Sequence, residues 1–155
     1  MADQKLSNWA SIAEIGSSLA VVVTLIFLIV GLQDNTNVTR ASVYASSIDS
    51  LNDFESTILA DPELSRIHLA YLRSDTVGLS PEETDRLTFI MAILFRIYEK
   101  AYYSERYDLI GEEEWGRFER MICINYARAE TAGTAQTIRN LMTEEFMRYI
   151  LTCAN

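Results

Sequence analysis

The stretch that decides the fold is residues 19–30, LAVVVTLIFLIV, which lies inside a run of nineteen residues, 15–33, without a charge. Wound as a helix at ~1.5 Å per residue, that run is about 28 Å long, close to the ~30 Å hydrocarbon core of a bilayer. Trp9 precedes it at the place where an aromatic ring rests among headgroups. The run reads as a transmembrane helix. A secretory signal peptide fits poorly: the segment before the run carries Lys5 but also Asp3 and Glu14, and no small-x-small cleavage site follows Val30. The expectation is an uncleaved anchor within residues 1–36 and a helical domain over residues 37–155.

Working outward, Lys5 on one flank and Arg40 on the other nearly balance the positive-inside count. The C-terminal domain is expected on the cytoplasmic side, because Cys123 and Cys153, thirty positions apart, read as unpaired and form no CxxC pair. Residues 33–37, QDNTN, are poor helix formers and mark the interface or a weak point. From Val38 the pattern is helical again: Ala41, Tyr44, Ile48, Leu51 and Ile58 keep a three-four rhythm interrupted by Glu55. No Gly or Pro occurs between Gly31 and Pro62. The anchor is therefore expected to continue into a long stalk helix over about 38–60, whose stripe would let an oligomer continue into water.

Beyond it, residues 61–155 read as a small bundle. Asp61-Pro62-Glu63 restarts a helix that should end near Ser74, and Ser80-Pro81-Glu82-Glu83 is a capping box with Pro at the first helical position. Residues 87–107 carry apolar side chains on a wide face, but their uncharged run, 87–95, is only nine residues, too short to span a bilayer. Gly111 closes that helix. Glu112-Glu113-Glu114 puts negative charge at the next helix start, with Trp115, Phe118, Ile122, Tyr126 and Ala129 as its inner stripe. A break around Gly133, a short helix over 135–142 and a final segment capped by Thr143 complete the chain. The fold class is all-α: a transmembrane helix, its stalk and a helical bundle.

Composition bounds the chemistry. The chain has 155 residues, 49% hydrophobic, with 6 Gly and 2 Pro, which excludes collagen-like and low-complexity classes. Its 13 basic and 22 acidic side chains give a net charge of −9, against a nucleic-acid partner held through phosphates. A single His, His68, excludes any site needing two imidazoles and reads as a surface or boundary residue. Walker, GxGxxG, GxSxG and HExxH patterns are absent from the sequence. No catalytic, metal or cofactor residue is assigned.

Two constellations remain. Glu99 sits within an apolar helix with Arg96 and Tyr103 a turn away on either side. The three form a candidate internal polar network, either fixing helix register or lining a small-ligand pocket. In the anchor, Ala13, Gly16, Ser17, Ala20 and Thr24 share one small-residue stripe, a candidate face for helix association.

The run Trp9-Ala10-Ser11-Ile12-Ala13-Glu14-Ile15-Gly16, the following Val21 to Phe27, and Asn35-Thr36 with Arg40-Ala41-Ser42 resemble a widespread, uncharacterised bacterial family of small membrane proteins. Asp61-Pro62-Glu63-Leu64, residues 79–83 (LSPEE), Tyr98-Glu99-x-x-Tyr102-Tyr103, and Gly111 with Glu113-x-Trp115 fit its pattern in the same order. The resemblance implies one N-terminal transmembrane helix with a helical domain. It brings no activity and no catalytic residues. This chain departs from the family where members carry a basic residue soon after the anchor and it has Leu32-Gln33-Asp34. The expected function is a non-enzymatic assembly or scaffold protein of a bacterial inner membrane, in contact with the lipid bilayer and acting as a homo-oligomer or as an accessory subunit of a larger membrane complex. The alternative is a membrane-tethered sensor or small-ligand module using the Glu99 region.

Overall fold

The computed structural model describes the backbone of residues 2–153 and the side chains of 16–152. Within them the chain is built from six α-helices: α1 (Ala2–Ala60), α2 (Pro62–Leu72), α3 (Pro81–Arg106), α4 (Glu112–Thr131), α5 (Ala135–Leu141) and α6 (Glu144–Cys153). It divides into two units, Met1–Thr39 and Arg40–Asn155.

Helix α1 passes through residues 33–37 without a break. The polar residues there cost helix only tenths of a kcal/mol each, and no Gly or Pro interrupts the backbone ladder. The hydroxyls also turn inward. Thr24, Thr36, Thr39, Ser47, Ser50 and Thr57 each donate to the carbonyl four residues back, at 2.8–3.0 Å. None of these groups then competes for the ladder's own donors.

In the first unit, residues 16–39 are exposed along their whole length. Leu19, Phe27 and Leu32 show 64%, 73% and 65% of their surface. Burying a side chain of this kind is worth ~1.5–3 kcal/mol, which the described structure does not provide here. By length and composition the helix can cross a membrane.

The second unit encloses the core. The stripe on the C-terminal third of α1 is used inside it: Phe54 and Ile58 are buried, and Tyr44, Ile48 and Leu51 pack against the same core. The Tyr44 ring meets Phe118 edge-on at 6.4 Å. Arg40 Nε donates to the Asp108 carbonyl at 2.7 Å, and Lys100 Nζ to Ser46 Oγ at 2.9 Å. Residues 40–60 are therefore a wall of the bundle, not a free stalk. Ala41 alone of the predicted stripe is exposed.

The helix starts follow local chemistry. Asp61 Oδ1 accepts from the Glu63 and Leu64 amides at 2.8 and 3.2 Å, while Ser80 and Glu83 complete the reciprocal capping box. The ends of α2 and α3 turn on left-handed residues, Ser74 (φ 56°) and Asp108 (φ 57°), and Gly133 (φ 74°) does so after α4. At each, the amide after the left-handed residue reaches back five positions: Asp75 to Ala70, Leu109 to Ser104, Thr134 to Ala129. Those bonds satisfy carbonyls that a helix end otherwise leaves open. Helix α3 lies centrally, with Leu87, Met91, Phe95 and Ala101 wholly buried among α2, α4 and α5.

One expectation is overturned. Cys123, half-buried on α4, is disulfide-bonded, and no free cysteine occurs among the described residues. Sequence spacing read both cysteines as unpaired because it does not report that α6 packs back along α4. The ground for a cytoplasmic domain falls with that reading.

Because the core is built wholly from residues beyond 43, deleting residues 1–32 should leave a folded helical domain. The truncated chain is expected in the soluble fraction with its helical circular dichroism retained. Full-length protein recovered in solution without detergent would overturn the anchor.

Candidate functional site

The Glu99 region is a joint between α3 and α6. Glu99 is half-buried, and its Oε1 accepts from the Thr143 amide at 2.8 Å and from Thr143 Oγ1 at 2.7 Å. Tyr103 shares Thr143 Oγ1 at 2.9 Å. A carboxylate at the open amides of a helix start is favoured by both hydrogen bonding and the macrodipole. The structure thus brings Glu99 and Tyr103 together, but on Thr143 rather than on each other. Arg96 is exposed, and among the described hydrogen bonds and ion pairs it has no part in this joint. The expected internal network is a surface cap. Around it Tyr102, Trp115, Phe146 and Tyr149 pack at tilted angles with 5.0–6.2 Å between centroids, so this share of the tyrosines is packing.

The internal network lies elsewhere. Asn125 is buried on α4, and its Nδ2 donates to Tyr98 Oη on α3 at 2.9 Å and to the Met121 carbonyl at 2.9 Å. The backbone carbonyl of Asn125 accepts from Tyr71 Oη on α2. Burial holds both phenols well above the usual tyrosine range, so they act as neutral donors and acceptors. The signal was present in the sequence: Asn125 falls three residues after Ile122 and seven after Phe118, a polar side chain on an apolar stripe.

Beside this network stands His68. Its ring stacks on Tyr71 at 6.1 Å and meets Phe54 edge-on at 5.9 Å. Its Nδ1 is buried without a hydrogen-bond partner, the one such side-chain atom among the described residues. Burial lowers its pKa and so does Arg128, whereas Glu55 raises it. A pocket of about 240 Å³ opens here, lined by Ile58, Leu59, Leu69 and Leu72 with Glu55, Ser65 and His68. It has the make-up of a small apolar site with a few polar groups. Among the described residues no three His, Cys, Asp or Glu side chains gather to hold a metal ion.

The small-residue stripe of the anchor is exposed at Gly16, Ser17, Ala20 and Thr24. The side chains of Ala13 and Trp9 lie outside the described residues. Gly16 has open space where a Cβ would stand, so its face is free of the chain's own atoms.

Two substitutions separate the cap from the buried network. Asn125→Ala should leave the Tyr98 hydroxyl unpaired in the core and cost ~1–3 kcal/mol. Glu99→Ala should cost about 1 kcal/mol, the worth of a helix cap. Thermal unfolding in one detergent ranks them, and equal losses would contradict the assignment.

His68 sets a pH dependence. The unfolded chain takes up this proton near pH 6.5 and the folded chain only below that. Protons therefore favour unfolding, and stability should decline as pH falls from about 6.5 toward the folded value. His68→Gln should flatten that limb in denaturant titrations between pH 7.5 and 5; an unchanged slope would show that other groups cause it.

No family model, curated protein or solved structure matches this chain, so the reading of its function rests on the residues described above.

Proposed function

We propose that this chain is a non-enzymatic, single-span protein of a bacterial inner membrane whose role is assembly, as a homo-oligomer or as an accessory subunit on a larger membrane complex. The observation that carries the reading is the apolar surface of residues 19–32. A soluble monomer rarely exposes so large a contiguous apolar patch, and lipid or another apolar helix is its natural surrounding.

The association face is narrower than the sequence suggests. Tyr44, Ile48, Leu51 and Ile58 pack on their own domain and do not extend an oligomeric seam into water. What remains is the stripe through Gly16, Ser17, Ala20 and Thr24. In lipid, close backbone approach at small residues supplies the contact. Thr24 Oγ1 donates to the Ala20 carbonyl, so Thr24 brings no unpaired donor into a dry interface.

A second reading, a membrane-tethered small-ligand module, is favoured by one observation: the unpartnered His68 Nδ1 beside its apolar pocket. It no longer rests on Glu99.

Replacing Gly16 and Ala20 together with Leu should lower the copy number seen by native mass spectrometry in mild detergent. The assembly reading is abandoned if the wild type is a monomer bound to no second polypeptide. It loses its proposed face if the double variant keeps the wild-type mass.

A further inference from the structure

We propose that Cys123 and Cys153 are joined in an intrachain disulfide, and that the helical domain accordingly stands on the oxidising, exoplasmic face of the membrane. The placement at a membrane face rests on the anchoring reading above; the disulfide does not.

The pairing follows from register. Helix α6 lies against α4 through Tyr149, whose hydroxyl donates to Glu119 Oε1 at 2.7 Å and whose ring meets Trp115 at 5.7 Å. Residues four apart share a helix face. One turn beyond Glu119, α4 carries Cys123; one turn beyond Tyr149, α6 ends at Cys153. Cys123 is disulfide-bonded, and the chain holds one other cysteine. Register and cysteine count name the same partner.

The flanks of the anchor do not oppose the placement, since Lys5 on one side balances Arg40 on the other. A cytoplasmic flank carries excess Lys and Arg within about 15–20 residues of the span. Residues 33–60 hold one basic side chain, Arg40, and it is tied to the Asp108 carbonyl. A structural disulfide persists where the compartment is oxidising and is kept reduced in the cytosol. Its formation takes two protons and two electrons from the thiols of Cys123 and Cys153. They pass by thiol–disulfide exchange to a disulfide oxidoreductase of that compartment, whose own disulfide is reduced to two thiols. The crosslink closes the segment from α4 through α5 to the end of α6, so reduction should lower the thermal midpoint by on the order of 10 °C.

The test uses the full-length chain in cells, quenched with acid and alkylated with a polyethylene-glycol maleimide. The expected result is a monomeric band with no adduct before reduction and two after it. Cys123→Ser and Cys153→Ser should each show one adduct without reduction. Two adducts on unreduced wild type would overturn the disulfide, and a reducible dimer would overturn the intrachain pairing. Sidedness is read with Val77→Cys in the otherwise native chain, a position 97% exposed. A membrane-impermeant maleimide should label it in intact spheroplasts, whereas labelling only after lysis would overturn the exoplasmic placement. Carbonate extraction of the same membranes separates the two readings. A chain washed off overturns the anchor and the placement with it. An anchored chain with free thiols overturns this inference alone.

Discussion

Three helices of the core meet at Asn125. Its carboxamide holds Tyr98 of α3, and its backbone carbonyl holds Tyr71 of α2, within surroundings that are otherwise aliphatic and aromatic. Apolar stripes alone tolerate a slip of one turn, because one aliphatic neighbour replaces another at small cost. A buried amide does not, since a slip leaves three polar groups without partners. The remaining elements are built on the register so fixed. Arg139 of α5 donates to Tyr126, the next residue along α4, and also to Glu130. Glu99, one residue past Tyr98, receives the start of α6. Phe54 and Ile58 of α1 then close the core from the other side.

What could be read from the sequence was what local chemistry decides. Asp61-Pro62 and Ser80-Pro81 act over three or four residues, and the structure starts α2 and α3 there. The acidic triplet at 112–114 likewise opens α4, which Gly111 precedes without any side-chain cap. Inner stripes were legible too, but a stripe does not state what covers it. The one on residues 41–58 looked free for a second copy, and its partner is Phe118 and the core of the same domain. Glu99 was misread for the same reason: its partner, Thr143, lies 44 positions away. Asn125 is the informative residue of α4, because a single amide on an apolar stripe needs a partner that the stripe itself does not name. The cysteines were misjudged because spacing of thirty positions says nothing when an intervening helix folds back.

The two halves of the chain pose different energetic problems. Residues 40–155 enclose a core in which most of their aromatic side chains take part, although Phe89 and Tyr107 are exposed. Residues 16–39 bond within their own helix, the hydroxyls of Thr24, Thr36 and Thr39 included, and leave their apolar side chains to the surroundings. The proposed role in assembly would use that division: the domain would supply a fixed body, and the apolar segment affinity for lipid or for other helices. The tilted, closely packed rings of Tyr102, Trp115, Phe146 and Tyr149, with the Tyr149–Glu119 bond, hold α6 along α4.

The inward-turned hydroxyls of α1 bear on how such a helix drifts over evolutionary time. Thr24, Thr36, Thr39, Ser47, Ser50 and Thr57 each spend their O–H on a carbonyl of the helix itself, and the threonines present a methyl group as well. To lipid or to a packed neighbour they resemble Val or Ala more than Asn or Gln. At the exposed sites Thr24, Thr36, Thr39 and Thr57, exchange among Ser, Thr, Ala and Val is therefore close to neutral, whereas Ser47 is wholly buried and tolerates added bulk less. A helical wheel that marks them as polar draws a stripe that nothing outside the helix meets.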